Sequence, residues 1–299
     1  MNAYTDIFQK HRPRLLGLAY RMLGTQADAE DVLHDAWLRW HAQDKTSLDD
    51  PEAWLVTVTT RLALDRLRRA KVEREHYTGP WLPEPLVEAA EQPDAQAEQA
   101  ETLTLSFLLM LERLSPEERA AFLLHEVFDY SHSEAAAILG ITEEACRQRA
   151  HRAKQRLHEE RARFSTNAHT QRRLLERFAQ ALQRPTEDNL RALFAEDVIH
   201  ISDGGGLVTA ALRPLLGSER IARLYLQVAK HEQDHDVRRD LHTLNGAPVL
   251  LTWVDGQLVT ACWVECEGDR IVSIQALRNP EKLARLAAVT KRPGGTSLH

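Results

Sequence analysis

Apolar positions recur at helical spacing through the first half of the chain and alternate through much of its last third. Residues 4–40 read as two helices. Phe8, Leu15, Leu16, Leu18, Ala19 and Met22 line one face, Gly24 ends the first helix and Thr25 opens the second. Val32, Leu33, Ala36, Trp37 and Trp40 continue the stripe. After the capping loop Ser47–Asp50, Pro51 starts a third helix that turns Trp54, Leu55, Val58, Leu62, Leu64 and Leu67 inward. Its outward row is Thr57, Thr60, Arg61, Arg66, Arg68, Arg69 and Lys71. A Trp near the start with basic residues beyond suits gripping opened strands by stacking and phosphate pairing, although a Trp at helical spacing is usually core.

The stretch Leu114–Leu157 carries the densest local signals. Ser115-Pro116-Glu117-Glu118 is a helix start: a capping Ser, Pro at the first helical position, carboxylates at the positive end of the dipole. Ser133–Leu139 makes a short helix closed by Gly140, and Thr142 caps the next. Glu143 and Glu144 fill that helix's first turn, and Arg147, Arg149, Arg152, Lys154 and Arg156 follow. Ala136 and Gly140 let two helices cross closely over Ile138, Leu139, Ile141 and Cys146. This is the layout of a helix-turn-helix whose second helix enters a major groove. A helical hairpin with a solvated basic face is the alternative; it explains the charge but not the coincidence of caps, small crossing residues and glycine turn.

Residues 72–102 hold Pro80, Pro83, Pro85 and Pro93 among Glu, Gln and Ala and cannot supply a core. Within them, Trp81-Leu82-Pro83-Glu84-Pro85-Leu86 sets large apolar residues as exposed anchors on a proline-stiffened extended backbone, which suits docking into a groove; local packing against a neighbouring helix is the alternative. From Ala168 the pattern changes. Helices over Arg173–Leu182 and Thr186–Phe194 precede a strand over Val198–Ser202, a turn at Asp203–Gly206 and a helix over Gly217–Lys230. Strands come next over Val237–Thr243, Pro248–Val254, Leu258–Glu265 and Arg270–Leu277, joined by turns at Asn245-Gly246, Asp255-Gly256 and Gly268-Asp269. With a closing helix from Pro280, this predicts an α+β cone whose curved antiparallel sheet wraps round helices.

The 299 residues suffice for two or three domains, and a hydrophobic fraction of 43% supports real cores without an apolar run of membrane-spanning length. No cationic segment followed by an apolar one opens the chain, so a cytoplasmic location without membrane contact is expected. Three cysteines fit a reducing compartment as buried thiols. Cys262 and Cys266 on one strand would lie roughly 13 Å apart, too far to bridge. A net charge of −6 sits badly with DNA binding until its distribution is read. Basic residues concentrate in 61–74 and 147–163 and acidic ones between 84 and 101, and local patches set phosphate attraction.

Asp31 and Asp35, one turn apart beside His34, lack further ligands at metal spacing and read as a protein-docking or a solvated face. No metal or cofactor is expected. In the cone His200, Asp203, His235, His242 and Trp253 are conceivable pocket groups, but Asp203 before three glycines is more simply a turn residue. No catalytic residue is assigned.

DAEDVLHDAWLRW, PEAWLVTVTTRLALDRLRR, LSPEERAAFLLHEVFDYSHSEAAAILGIT and RAHRAKQRL, in this order, resemble regions two and four of bacterial sigma-70 factors of the extracytoplasmic-function (ECF) type. The resemblance implies a transcription initiation factor that binds RNA polymerase core (beta and beta-prime subunits) and directs it to promoter DNA. It implies that Asp31, His34, Asp35 and Leu38 dock on the coiled coil of the largest polymerase subunits. Trp54, Thr57, Thr60, Arg61, Arg66, Arg68 and Arg69 would open and read the −10 element. Thr142, Glu143, Glu144, Arg147, Gln148, Arg149, His151 and Arg152 would read the −35 element. Thr60 before Arg61, and Cys146 and Ala150 in the recognition helix, depart from the commoner pattern and are taken as tuning the promoter sequence.

WLPEPL, DGGG at Asp203–Gly206 and NPEKL at Asn279–Leu283 are similar to the ECF subgroup with a fused SnoaL-like (NTF2-like) C-terminal domain. Leu207 stands where that subgroup often has Lys. The implied architecture is multidomain: region 2 helical bundle over 1–75, extended linker over 76–104, region 4 helix-turn-helix over 105–162, SnoaL-like cone over 168–290, disordered tail over 291–299. The implied regulatory contacts are Trp81, Leu82, Pro83, Glu84, Pro85, Asp203, Gly204, Gly205, Gly206, Asn279, Pro280, Glu281, Lys282 and Leu283. Through them the cone would regulate the factor in cis, and a small-molecule ligand of the cone is a candidate partner. The alternatives are a SnoaL-like enzyme of cyclase or isomerase type fused to a DNA-binding module, and a repressor that ignores polymerase.

Overall fold

Three helices with one shared apolar face begin the chain: α1 (Ala3–Leu23), α2 (Gln26–Ala42) and α3 (Pro51–Glu75). The computed structural model describes residues 3–43, 48–86, 104–164, 168–290 and 296–298, so Ser47, most of the linker beyond Leu86 and much of the tail lie outside it. Thr25 caps α2 by accepting Asp28 N at 3.3 Å, and Asp50 caps α3 by accepting Ala53 N at 3.0 Å. Leu15, Leu18, Met22, Leu33, Trp40, Leu55 and Leu67 are buried between the three helices.

These helices form one compact unit with the helices beyond the linker: Met1–His76 clusters with Ser106–Glu160. The second part holds α4 (Leu105–Glu112), α5 (Pro116–Phe122), a π-helical turn (Leu123–Val127), α6 (His132–Leu139) and α7 (Glu143–Phe164). Ser115 with Glu118 and Ser131 with Glu134 form reciprocal capping boxes at the starts of α5 and α6. Gly140 ends α6 at φ 67°, and Thr142 Oγ1 then accepts Ala145 N at 3.2 Å to start α7. Ala136, Ile138, Cys146 and Ala150 are buried where the two helices cross.

The two parts of this unit are joined by buried charge. Arg119 has no exposed side-chain surface; it donates to Leu111 O at 2.9 and 2.6 Å and to Met22 O at 2.8 Å. Its Nη1 also lies 2.8 Å from Glu112 Oε1, and Arg74 pairs with the other oxygen of Glu112 while donating to Leu23 O at 2.6 Å. Burial pushes the Glu112 carboxyl up, but the Arg119 and Arg74 charges outweigh it and hold the group below its ordinary range.

The other unit, Tyr77–Leu105 with Arg161–His299, is the cone. It comprises α8 (Ala168–Gln183), α9 (Glu187–Arg191), β1 (Phe194–Asp203), β2 (Leu215–Leu216), α10 (Ser218–Glu232), β3 (Val237–Leu244), β4 (Ala247–Val254), β5 (Gln257–Glu267), β6 (Arg270–Leu277), α11 (Pro280–Thr290) and β7 (Thr296–Leu298). The sheet order is β2-β1-β6-β5-β4-β3-β7. Leu174, Leu175, Phe178 and Leu182 of α8 and Ile221, Ala222 and Tyr225 of α10 pack on Cys262, Val264 and Ile274. Asn245-Gly246 and Asp255-Gly256 turn with positive φ at both residues, as tight hairpins require.

Three expectations need correction. The sheet is mixed: β1 pairs β6 in parallel, because the β3–β6 meander runs back across the sheet and its last strand arrives beside β1 in the same direction. Within the tail expected to be disordered, Thr296–Leu298 is a strand that pairs Arg239–Leu241 and covers the polar edge of β3; its other residues lie outside the described ones. The helix placed over Thr186–Phe194 shortens to Glu187–Arg191, capped by Thr186, and Phe194 already belongs to β1.

Arg119→Ala is expected to destabilise the helical unit by about 3–5 kcal/mol, because Glu112 loses a partner and the Leu111 and Met22 carbonyls lose their donor. Urea unfolding followed by the helical signal measures this. Arg119→Lys should recover only part of the loss, since one ammonium cannot reproduce the planar fork.

Candidate DNA-reading surface and linker dock

The first turns of α7 present an open polar row. Thr142, Glu143, Glu144, Arg147, Gln148, His151 and Arg152 are exposed, and Arg149 is half-buried. Within the row Arg147 pairs Glu143 at 2.7 Å and Gln148 donates to Glu144 at 2.8 Å. Of the residues expected at the −35 element, all but Arg149, which lines a cavity beside α5, are thus open to solvent.

The residues expected at the −10 element are less alike. Trp54 is half-buried, its ring centroid 5.7 Å from that of Trp40, and Thr57 bonds back to Ala53 O at 2.7 Å. Thr60 is fully buried, which corrects its placement on the outward row. The buried stripe of α3 runs through Leu55, Val56, Thr59, Thr60, Ala63, Leu64, Leu67 and Ala70, so the two threonines fill places that the polar pattern assigned to solvent. Arg61 donates to Ile138 O at 3.0 Å, Arg66 pairs Asp28 at 2.8 Å and Glu73 at 3.0 Å, and Arg68 pairs Glu117 at 2.9 Å and Asp65 at 3.0 Å. Arg69 is exposed. A cavity of about 400 Å³ lies between α3, α5 and the helix-turn-helix, with Leu64, Arg68, Glu117, Leu139, Arg149 and Arg152 in its walls.

On α2, Asp31, His34, Asp35 and Leu38 are all exposed and share one stripe, and Leu38 keeps 52% of its surface in solvent. Trp37 beside them is half-buried, edge-on to Phe8 at 5.0 Å. An acidic stripe that ends on an exposed leucine has the chemistry of a docking face.

In the cone, the three motifs WLPEPL, DGGG and NPEKL converge on the carboxylate of Asp203. This side chain is fully buried at the end of β1. It accepts Tyr77 Oη at 2.6 Å, Leu82 N at 2.9 Å, Gly205 N at 3.0 Å and Lys282 Nζ at 2.7 Å. Lys282 in turn donates to Leu82 O at 2.6 Å and lies 4.3 Å from the Trp81 ring centroid. Asn279 donates to Tyr77 Oη at 2.9 Å and accepts Glu281 N at 2.9 Å, so it links the linker to the start of α11. Burial, then the Asp203 carboxylate, pushes the Tyr77 phenol well up, so it acts as a donor throughout the physiological range.

Leu82 is fully buried, Pro83 and Pro85 are buried, and Trp81 and Glu84 are half-buried. The segment is thus a docked strap of the cone, not an exposed anchor. A second pin lies at Leu86, whose N donates to Asn245 Oδ1 at 2.7 Å. Of the loop glycines, Gly205 is the most constrained: at φ 63° a Cβ would lie 2.3 Å from Asn279 Nδ2. Gly204 is buried and Gly206 is exposed; Lys282 and Leu283 face inward from α11, while Pro280 and Glu281 face out.

The conceivable pocket groups do not form one constellation. His200 stands on β1, three strands away from Trp253 on β4 and four from His242 on β3. Burial, then Arg278, lowers the His200 imidazole to about 4, and it lies edge-on to Tyr225 at 5.6 Å. His235 pairs Asp255 at 2.7 Å on an exposed hairpin. Sequence reasoning passed over Tyr77, whose only local mark is an aromatic ring four residues before Trp81, and Glu265, which burial raises to about 8. Among the described residues, no cluster of three or more His, Cys, Asp or Glu could hold a metal, and no helix is long and apolar enough to cross a membrane.

Residues 7–73 match the family Sigma-70 region 2, and residues 104–157 match Sigma-70, region 4. The ECF RNA polymerase sigma factor SigJ of Mycobacterium tuberculosis is 40% identical over 224 residues, 73% of this chain and 71% of that protein. The probable ECF RNA polymerase sigma factor SigI of the same organism is 29% identical over 284 residues, 94% of this chain and 95% of that protein. The crystal structure of SigJ aligns with a TM-score of 0.72 at 31% identity, covering 94% of this chain and 98% of that one.

Asp203→Ala should free the strap. A hydrogen bond to a charged group contributes about 1.5–3 kcal/mol, so exchange of the Leu82 amide hydrogen is expected to speed up roughly ten- to a hundredfold. Hydrogen-exchange mass spectrometry of the peptide over 77–86 reads this directly.

Proposed function

The chain belongs to the ECF RNA polymerase sigma factors of the sigma-70 family, which bind polymerase core and direct promoter-specific initiation, and we propose that its cone regulates this activity through the linker. The observation that carries the reading is the Asp203 carboxylate, which gathers residues from the linker, the DGGG loop and α11. Pinning residues 77–86 shortens the tether between α3 and α4. The fully extended span of residues 77–104 is roughly 90–100 Å, whereas that of residues 87–104 is only about 60–65 Å. A docked strap therefore limits how far the two DNA-reading parts can separate, and its release lengthens their reach. The cone is covalently tethered, so a weak clasp suffices to bias the equilibrium, and polymerase or a small ligand of the cone shifts it.

The residue roles accord with the same reading. Asp31, His34, Asp35 and Leu38 dock on the beta and beta-prime subunits; the α3 arginines serve the −10 element; the first turns of α7, from Thr142 to Gln148, serve the −35 element. The sigma factor family is non-enzymatic, and the cone acts as a regulatory module and not as a catalyst. The scatter of His200, His242 and Trp253 over separate strands supports this.

Asp31→Arg combined with Asp35→Arg is expected to abolish binding to core polymerase without loss of helical signal; unchanged affinity in the folded double variant would refute the docking assignment. For the clasp, in vitro transcription is compared for Trp81→Ala, truncation before Asn279 and both together. Each change should raise promoter-specific transcription, and the pair should add little, as for partners in one contact. Fully additive effects, or none, would mean that the cone does not act through this strap.

A further inference from the structure

Glu118 lies at the third position of α5, where it closes the capping box with Ser115. Its carboxylate does more than cap. Oε2 accepts Ser115 N at 3.1 Å and Arg156 Nη1 at 2.9 Å, and Oε1 lies 3.5 Å from Arg152 Nε. The Glu118 side chain is 9% exposed, whereas Arg152 and Arg156 are 54% and 57% exposed. Two surface arginines, one turn apart on α7, are thus held from beneath by one carboxylate fixed on another helix.

We infer that Glu118 is a positioning and specificity-determining residue for −35 recognition: it orients α7 and withholds Arg152 and Arg156 from DNA phosphates. The inference rests on the proposed assignment of α7 to the −35 element. Arginines on a groove helix outside its base-reading turns bind phosphate, which adds affinity for every sequence alike. Bound to Glu118, each must exchange a carboxylate for a phosphate, so its net gain on DNA is small. The base-reading turn, with Arg147 and Gln148, then contributes a larger share of the total. The same two ion pairs tie α7 to the start of α5 and so fix the angle at which that turn is presented. Burial pushes the Glu118 carboxyl up, but Ser115's hydrogen bonds and the Arg156 and Arg152 charges hold it below its ordinary range, so the grip persists at neutral pH. Neighbouring Glu117 is engaged with Arg68 and does not take over these arginines.

The test uses the full chain and two duplexes: one selected by the wild-type chain from a random pool, the other its scrambled version. Binding is followed by fluorescence anisotropy across a salt series. Glu118→Gln should bind the scrambled duplex at least tenfold more tightly at low salt. Its slope of log affinity against log salt should steepen by about two, close to 0.9 per phosphate gained. The ratio of selected to scrambled affinity should fall by fivefold or more. Ser115→Ala, which breaks the cap but keeps the ion pairs, should leave the slope unchanged.

A second comparison survives even where Glu118→Gln does not fold. Arg152→Ala in the wild-type background should change the salt slope by much less than one, because that arginine is already occupied. In a folded Glu118→Gln background it should reverse about half of the added slope. An unaltered slope in Glu118→Gln, a parallel loss of affinity for both duplexes, or a full-unit flattening by Arg152→Ala alone each overturns the inference. If the wild-type chain selects no sequence, or Arg147→Ala leaves the selected sequence unchanged, the assignment of α7 falls, and the salt slopes tell that failure apart from this one.

Discussion

A carboxylate without solvent must be neutralised and hydrogen-bonded, or it unfolds its surroundings. Asp203 is such a group, and much of the cone's distinctive sequence meets its demands. One cation, Lys282, supplies the charge; a phenol, a backbone amide of the linker and an amide of its own loop supply the remaining donors. The glycines after Asp203 let the loop fold back close enough for Gly205 N to reach it. The prolines around Leu82 keep the linker extended, so that its amide and carbonyl point to Asp203 and Lys282 respectively. Three motifs far apart in the chain are therefore one device. Losing any donor leaves charge stranded in the interior, so the strap is a costly contact to break by mutation.

The helical unit solves the same problem at the joint between its two parts. Arg119, Glu112 and Arg74 are taken out of water where α4 and α5 meet the ends of α1 and α3, and carbonyls of Met22, Leu23 and Leu111 complete their shells. Replacing such a triad by apolar side chains often costs nothing, so its presence is a poor argument for stability alone. What it adds is direction: guanidinium forks accept only one arrangement of carbonyls, and this sets how α5 sits on α3. The helix-turn-helix then inherits that placement through Glu118 and the short turn before α6.

Local signals carried most of the secondary structure. The capping boxes at Ser115 and Ser131, the left-handed Gly140 and the paired hairpin turns all lie where their residue types demand them. The long-range partners were not legible. Leu82 and Asp203 meet across 121 positions and Asn279 and Tyr77 across 202, and nothing in a period or a turn encodes such a meeting. Likeness of motifs to a known subgroup named Leu82, Asp203 and Asn279, but not Tyr77, nor that these residues meet on one carboxylate. Thr60 misled because a small polar residue on a helix is read as surface, whereas a helix packed on two sides buries a wider stripe than its apolar residues mark. The parallel β1–β6 pair escaped because hairpin turns report only neighbours in sequence, and β1 finds its neighbour only after the meander has crossed the sheet.

Charge balance ties the helical unit to function. A chain of net charge −6 is an awkward DNA ligand, yet the basic helices α3 and α7 are the surfaces proposed to bind it. Many of their basic side chains are already matched: Arg66 with Asp28 and Glu73, Arg68 with Asp65 and Glu117, Arg147 with Glu143, Lys154 with Glu126, Arg152 and Arg156 with Glu118. The acidity of these segments is thus partly an internal set of counterions, held within a few ångströms of the cations that phosphate would claim. Binding DNA then exchanges one set of ion pairs for another, which lowers affinity for random sequence more than for a site whose bases add contacts of their own. Such a protein gains little from naked DNA and much from a partner that brings the right DNA to it. That is the thermodynamic position an initiation factor needs: silent on the chromosome alone, and decisive once polymerase supplies the rest of the affinity.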